Sequence, residues 1–239
     1  GMHNWVVSFD LNSLYPHLIM QFNISPEMLI EPEEYTQAMR ALISSEIGVD
    51  DLLTGRIDTS RLTNESVTLT PNGQFFRINK QGFLAEIMER MYNDRTVYKK
   101  KSIEAKKDLE KETDPVKRVE IEKRIARYNN LQLAKKVSLN SAYGALGNEY
   151  FRFFDVRQAT AITTSGQLAI RWTERNVNSF LNKAAGYRKD RVIAIDTDSV
   201  YLNLEDLVNK NEKNPIDYLD KIGNEVLDKK IKASFDSFA

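Results

Sequence analysis

Short β-prone segments alternate with long helical patterns along this chain. Residues 5–9 are β-branched or aromatic except for Ser8 and lead into Asp10, which predicts a buried strand that ends in a carboxylate. Residues 13–22 repeat apolar side chains at helical spacing, with the first serine as a candidate N-cap. Residues 191–204 are β-prone on both sides of Asp196-Thr-Asp-Ser199, so we predict a hairpin with two carboxylates in its turn.

The middle of the chain is dominated by strong helix formers. Residues 83–112 and 116–139 are separated by a short break and predict a long antiparallel helical hairpin that projects from the core. Residues 157–182 carry apolar side chains on one stripe, as expected of a helix that covers a sheet. Residues 27–81 predict short helices and then a β-hairpin at Asn72-Gly73. The whole pattern predicts an α+β fold, with an antiparallel sheet covered by helices and a separate helical hairpin.

The composition narrows the kinds of site that the chain can build. Its 239 residues, 41% of them hydrophobic, are enough for one or two domains. No cysteine and only two histidines are present, which excludes a disulfide framework, thiolate metal sites and a histidine-built zinc centre. No run approaches the roughly 18 apolar residues of a membrane span, and the N-terminus lacks a signal-peptide pattern. We therefore expect a soluble, cytoplasmic protein without a membrane partner.

The charges are unevenly distributed although the formal net charge is zero. Residues 95–136 contain 14 Lys or Arg and 7 Asp or Glu, so this segment carries +7 and the rest of the chain carries −7. Any argument for a nucleic-acid partner must rest on this local charge. The alternative interpretation of a lysine run is a solvated helix face.

Three acids stand at the ends of predicted strands: Asp10, Asp196 and Asp198. Like-charged carboxylates repel each other unless a cation lies between them, so their convergence indicates a divalent cation with oxygen ligands. The alternative is an ordinary solvated turn, because Asp is common in turns.

Each arm of the predicted helical hairpin has a coherent polar face. Arg95 and Lys99 are four residues apart on the first arm, and Lys136, Asn140 and Tyr143 follow at helical spacing on the second. If the arms fold back symmetrically, the three cations lie near one level and suit a strongly anionic group such as a triphosphate. Alternatively, these side chains pair with acids on the same helices.

Three motifs carry a family resemblance. Asp10-Leu-Asn-Ser-Leu-Tyr-Pro16, Lys136-Val-Ser-Leu-Asn-Ser-Ala-Tyr-Gly144 and Asp196-Thr-Asp-Ser199 resemble motifs A, B and C of family B DNA polymerases, in the family's order. The surrounding sequence resembles the branch of the T-even bacteriophages, and the similarity is weakest over residues 31–61. The resemblance implies a palm with a fingers hairpin inserted between motifs A and B. It divides the chain into residues 1–82 (palm), 83–140 (fingers) and 141–239 (palm).

The resemblance also implies roles for individual residues in nucleotidyl transfer. Two Mg²⁺ ions, for which Mn²⁺ can substitute, are held by Asp10, Asp198 and the backbone carbonyl of Leu11, and Asp196 is a further catalytic acid. The incoming nucleotide is bound by residues from motifs A and B and from the fingers: Ser13, Leu14, Tyr15, Arg95, Lys99, Lys136 and Asn140. The nascent base pair contacts Tyr143 and Gly144.

Within this resemblance, Tyr15 has a specific task and two positions depart from the family pattern. The ring of Tyr15 lies under the sugar and excludes a 2′-hydroxyl group. His17 stands where the family usually has a small hydroxyl residue, and Ile195 stands where it commonly has glycine.

The resemblance implies primer-template DNA and dNTPs as partners. It further implies exonuclease, N-terminal and thumb domains outside this chain, and a sliding clamp for the full protein. Two other functions remain open at this point: a catalytically silent nucleotide-binding or nucleic-acid-binding palm, and a two-metal nuclease. The nuclease explains the acids but neither the basic hairpin nor Tyr15.

Overall fold

The computed structural model describes residues 2–44, 46–208 and 214–238, and within them it is an α+β protein. The N-terminal third holds small elements, and three long helices follow. The strands are β1 (Val6–Asp10), β2 (Val67–Leu69), β3 (Phe75–Arg77), β4 (Val192–Asp196) and β5 (Ser199–Asn203). The α-helices are α1 (Leu14–Gln21), α2 (Gln37–Leu42), α3 (Val49–Thr54), α4 (Phe83–Lys111), α5 (Pro115–Leu146), α6 (Val156–Ala185), α7 (Glu205–Val208), α8 (Pro215–Lys221) and α9 (Lys232–Phe238).

The main sheet is antiparallel, with β5 between β1 and β4. Asp10 and Asp196 both pair with Ser199, so the end of β1 and the turn between β4 and β5 meet at one end of the sheet. The prediction of a buried first strand is wrong, because alternate residues of β1 are exposed. The reason is that β1 is an edge strand with one covered face, whereas Val200 and Leu202 of the central strand are fully buried.

The predicted helical hairpin is present as α4 and α5, which contain 29 and 32 residues and are therefore roughly 44 and 48 Å long. Polar pairs fix the register of the two arms. Ser102 Oγ donates a hydrogen bond to Asn129 Oδ1 at 2.7 Å, and the ammonium group of Lys135 forms an ion pair with Asp94 at 2.7 Å. The second arm continues seven residues beyond the predicted end, through Gly144, and ends at Gly147, which is its C-cap.

Helix α6 holds the two halves of the core together. In the first core, the N-terminal half of α6 packs against α1 and the base of α4, and Leu18, Ile19 and Ile162 are fully buried. The second core lies between its C-terminal half and the sheet, as predicted. Gly186 adopts a left-handed conformation, with φ of 78°, and ends the helix.

The remaining predicted elements are also found. Two short α-helices and two 3₁₀ turns precede the hairpin β2–β3, whose turn places Gly73 at φ of 77°. Helix α8 is followed by a π-helical segment, Ile222–Ile231, and then by α9. Throughout the described ranges, each helix is too short or too polar to cross a membrane. The division at residues 82 and 140 stays a prediction.

Candidate active site

The acids of motifs A and C lie together at one end of the main sheet. The backbone N–H of Leu11 donates a hydrogen bond to the carbonyl of Asp198 at 2.7 Å, which ties the residue after β1 to the β4–β5 turn. Ser199 Oγ lies 3.5 Å from a carboxylate oxygen of Asp10. The backbone of Thr197 is left-handed, with φ of 48°. This conformation makes a tight turn, with Asp196 on one side of Thr197 and Asp198 on the other.

The environment of Asp198 is short of positive charge. Burial raises the pKa of its carboxyl group, and the negative charges of Asp10 and Asp196 raise the pKa further. Asp10 and Asp196 are exposed, and Asp198 is half-buried. Within the described residues no three His, Asp or Glu side chains form a preformed metal site. Carboxylate oxygens are hard ligands of the kind that Mg²⁺ and Mn²⁺ prefer, and Asp10 and Asp196 both act electrostatically on Asp198.

The hairpin formed by α4 and α5 contacts the start of α1. Arg95 Nη1 donates a hydrogen bond to Ser13 Oγ at 3.1 Å, and Arg95 Nε is buried without a partner among the described residues. Ser13 has φ of 55° and does not cap α1 with its side chain, contrary to the N-cap prediction. Its left-handed backbone directs the hydroxyl group elsewhere, to Arg95 and to Asn12.

The other predicted cations are exposed. The pair between Asp94 and Lys135 brings their chain neighbours, Arg95 and Lys136, to the same level of the hairpin, and Lys99 lies one turn further along α4. Among the described residues, neither Lys99 nor Lys136 forms an ion pair, and Asn140 makes no side-chain hydrogen bond. The alternative that these side chains pair with acids on their own helices is therefore not seen.

Two predicted aromatic residues are in contact beside the acids. The ring centroids of Tyr15 and Tyr143 are 4.9 Å apart, with Gly144 exposed next to them on α5. Burial raises the pKa of the Tyr15 hydroxyl group. Electrostatic interactions with the Tyr143 hydroxyl group and with the Asp198 carboxylate raise this pKa further. Motifs A, B and C therefore converge on one site, although motif A is more than a hundred residues from the other two in the chain.

The two unusual positions differ in their surroundings. His17 Nδ1 lies 2.9 Å from the carbonyl oxygen of Ser13, and its ring packs edge-on against Tyr92 with centroids 4.6 Å apart. His17 therefore packs between α1 and the base of α4. Ile195 is partly exposed on the edge strand β4.

Sequence reasoning missed one feature beside this site and one at the opposite end of β4. Gly166 of α6 lies directly against Tyr15. Arg191, at the start of β4, is fully buried and pairs with Asp206 at 2.8 Å. A glycine inside an otherwise regular helical pattern was the available signal for the first feature. No local signal distinguishes Arg191 from the surface cations around it.

Comparison with known proteins agrees with this geometry. Residues 1–238 match the sequence profile of DNA polymerase family B. The chain is similar to the DNA-directed DNA polymerases of Escherichia phage RB69 (29% identical over 98% of this chain) and Enterobacteria phage T4 (28% over 97%). It is also similar to a protein of African swine fever virus named DNA polymerase beta, with 30% identity over 82% of this chain and 15% of that protein. The chain belongs to DNA polymerase family B.

The chain spans 29% of the length of both phage polymerases. The similarity therefore concerns one segment of those enzymes, and this segment contains all three motifs.

Proposed function

We propose that this chain is the palm and fingers segment of a DNA-directed DNA polymerase, which transfers dNTPs onto a primer 3′ end. The observation that carries the proposal is the hydrogen bond between Leu11 and Asp198, because it holds the acids of motifs A and C side by side at the sheet end. A silent binding module needs no such pair of uncompensated carboxylates.

We propose that Asp10, Asp198 and the carbonyl group of Leu11 hold two Mg²⁺ ions, with Mn²⁺ as a substitute, and that Asp196 is an auxiliary acid. The fit rests on the raised pKa of Asp198, since a nearby cation relieves the repulsion among the three acids. Bound divalent ions would activate the primer hydroxyl group and stabilise the negative charge of the leaving pyrophosphate.

The triphosphate of the incoming nucleotide is gripped by Arg95, Lys99 and Lys136, with Asn140 in support. This assignment is supported by the shared level of Arg95 and Lys136 on the hairpin and by the exposure of the two lysines. The backbone amides of Ser13, Leu14 and Tyr15 add phosphate contacts at the start of α1.

The sugar and the base are selected by aromatic residues. Tyr15 excludes the 2′-hydroxyl group of ribonucleotides, and Tyr143 and Gly144 pack beside the nascent base pair. The contact between the two tyrosine rings, close to Asp198, supports this arrangement.

The complete enzyme adds the partners that this segment cannot supply. We propose that primer-template DNA is held with the help of a thumb, and that exonuclease and N-terminal domains and a sliding clamp belong to the full protein. Its site of action is the cytoplasm of an infected bacterial host.

Asp10→Ala tests the metal site. The variant is measured in single-turnover primer extension, with this chain in place of the matched segment of the phage RB69 polymerase. We expect incorporation to fall by far more than tenfold, which is ~1.4 kcal/mol of activation free energy, because metal-stabilised charge is lost in the transition state. Asp196→Ala should cost less than Asp198→Ala.

The matched control is Asp220→Ala, which removes an exposed carboxylate from α8, outside the three motifs. Incorporation by Asp10→Ala within tenfold of the parent, at Mg²⁺ concentrations where the control is fully active, would contradict the assignment.

A further inference from the structure

We infer that Gly166 is a positioning residue that sets where the Tyr15 ring lies, and thereby how tightly the site binds a deoxynucleotide. This inference rests on the proposed function, because it assumes that the Tyr15 ring lies under the sugar of the nucleotide.

The evidence is the close approach of α6 to α1. Gly166 is buried, and a Cβ atom added to it would lie 3.0 Å from Tyr15 Cε1. The same atom would be 3.7 Å from methyl groups of Leu14 and Leu18, which is ordinary van der Waals contact. Only the Tyr15 ring is therefore close enough to be displaced by a methyl group at this position.

The ring has little room to turn aside. Tyr143 of α5 contacts it from another side, with ring centroids 4.9 Å apart. Its backbone is anchored by Leu14 and Leu18, whose side chains are buried in the first core. A methyl group on α6 therefore moves the ring away from α6 by a few tenths of an ångström.

Helix stability does not explain the glycine. Glycine in a helix interior makes the helix less stable than alanine does. A Cβ atom added to Gly144 of α5 would meet nothing within 4 Å, whereas one added to Gly223 of the π-helical segment would lie 3.0 Å from Phe9 Cε1. Some helical glycines of this chain are therefore closely packed and others are not, and at Gly166 the side chain approached is Tyr15.

The displaced ring would enter the space of the sugar. The ring lies between Gly166 of α6 and Tyr143 of α5, and the proposed function places the nucleotide beside both tyrosine rings. A ring pushed away from α6 therefore encroaches on the sugar, and Gly166→Ala should weaken dNTP binding by about threefold to tenfold. Small misplacements of positioning groups have effects of this order or larger.

The test is a double-mutant cycle on the 239-residue chain. The parent, Gly166→Ala, Tyr15→Ala and the double variant are titrated with dATP and ATP in Mg²⁺ by isothermal titration calorimetry, up to millimolar nucleotide. Gln167→Ala, an exposed neighbour on α6, is the control. Circular dichroism checks that each variant is folded, and a crystal structure of Gly166→Ala reports the ring position.

We expect Gly166→Ala to raise the Kd for dATP at least about threefold, and to change it less than about twofold when Tyr15 is already alanine. Three results would overturn the inference about Gly166 without touching the proposed role of Tyr15. They are equal effects of Gly166→Ala in both backgrounds, no effect in either background, and an unfolded Gly166→Ala chain. The proposed role of Tyr15 fails separately if Tyr15→Ala leaves the ratio of ATP to dATP affinity unchanged. The absence of any nucleotide binding by the parent would contradict both.

Discussion

Asp206→Asn should destabilise the whole chain, because Asp206 compensates a completely buried cation. Arg191 is 0% exposed and donates to an Asp206 carboxylate oxygen at 2.8 Å. The same carboxylate accepts hydrogen bonds from the Tyr187 hydroxyl group and from the Lys189 ammonium group, the latter at 3.2 Å. Arg191 also donates to Asn182 of α6. These contacts anchor the start of β4, whose other end carries Asp196.

The expected loss is about 3 kcal/mol. Burial alone would raise the pKa of Asp206, but hydrogen bonds from Tyr187, Arg191 and Lys189 outweigh it and lower the pKa from 3.8 to about 2. This difference corresponds to roughly 2 kcal/mol at neutral pH, and solvent screening of the partly exposed carboxylate reduces it to about 1–2 kcal/mol. Breaking a buried ion pair costs ~3–5 kcal/mol in all, because the remaining ion is left uncompensated, and the lower end of that range applies here because the Asp206 carboxylate is partly exposed.

The same pair predicts an acid dependence. The folded-state pKa of Asp206 lies below its unfolded value, so the stability from this group is fully present above pH 3.8 and is lost as the pH falls to about 2. The Asp206→Asn chain has no such group, and its stability should change less over this range than that of the parent.

Urea unfolding followed by far-ultraviolet circular dichroism measures both effects. With a denaturant slope of about 3 kcal/mol per molar urea, the midpoint of Asp206→Asn should fall by about 1 M at pH 7. The exposed Asp220→Asn should shift it by less than about 0.2 M, as surface substitutions usually do. Equal midpoints for the two variants would refute the reasoning that Arg191 needs its anion.

Two further predictions concern α6 and DNA. Asp155 caps α6 by accepting a hydrogen bond from the backbone N–H of Arg157 at 2.8 Å. Asp155→Ala should therefore lower the free energy of unfolding by about 1–2 kcal/mol, as measured by urea unfolding. Asp155→Asn, which can still cap the helix, is the control. The isolated chain should bind primer-template weakly and with a shallow salt dependence, because its basic excess lies mainly on the fingers hairpin. Nanomolar, steeply salt-dependent binding in a fluorescence anisotropy titration would contradict this.

The sequence predicted the elements of the active site because each motif follows a strong local pattern. The β-prone segments before Asp10 and around Asp198 form the predicted strands, and the helical spacing of Lys136 and Tyr143 is that of α5. Antiparallel pairing then brings the acids together, because the acids of motifs A and C lie at the same end of the main sheet.

Long-range packing was not predictable in the same way. Ser13 has the residue type of an N-cap, but its hydroxyl group bonds Arg95, 82 positions away. The burial of Arg191 depends on α6 and α7 closing around it, and no pattern within its own segment specifies this. In both cases a tertiary contact decides the side chain's role, and local propensity does not.

The charges at the two ends of the β4–β5 hairpin are compensated differently. Burial and neighbouring negative charge raise the pKa of Asp198, which means that its ionised form destabilises the turn between β4 and β5 at neutral pH. The other end of the same hairpin is fixed by Arg191 and Asp206, where the charges are paired and the anion is favoured. The buried ion pair between Arg191 and Asp206 stabilises one end of the β4–β5 hairpin. This stabilisation offsets the repulsion among the acids at the other end.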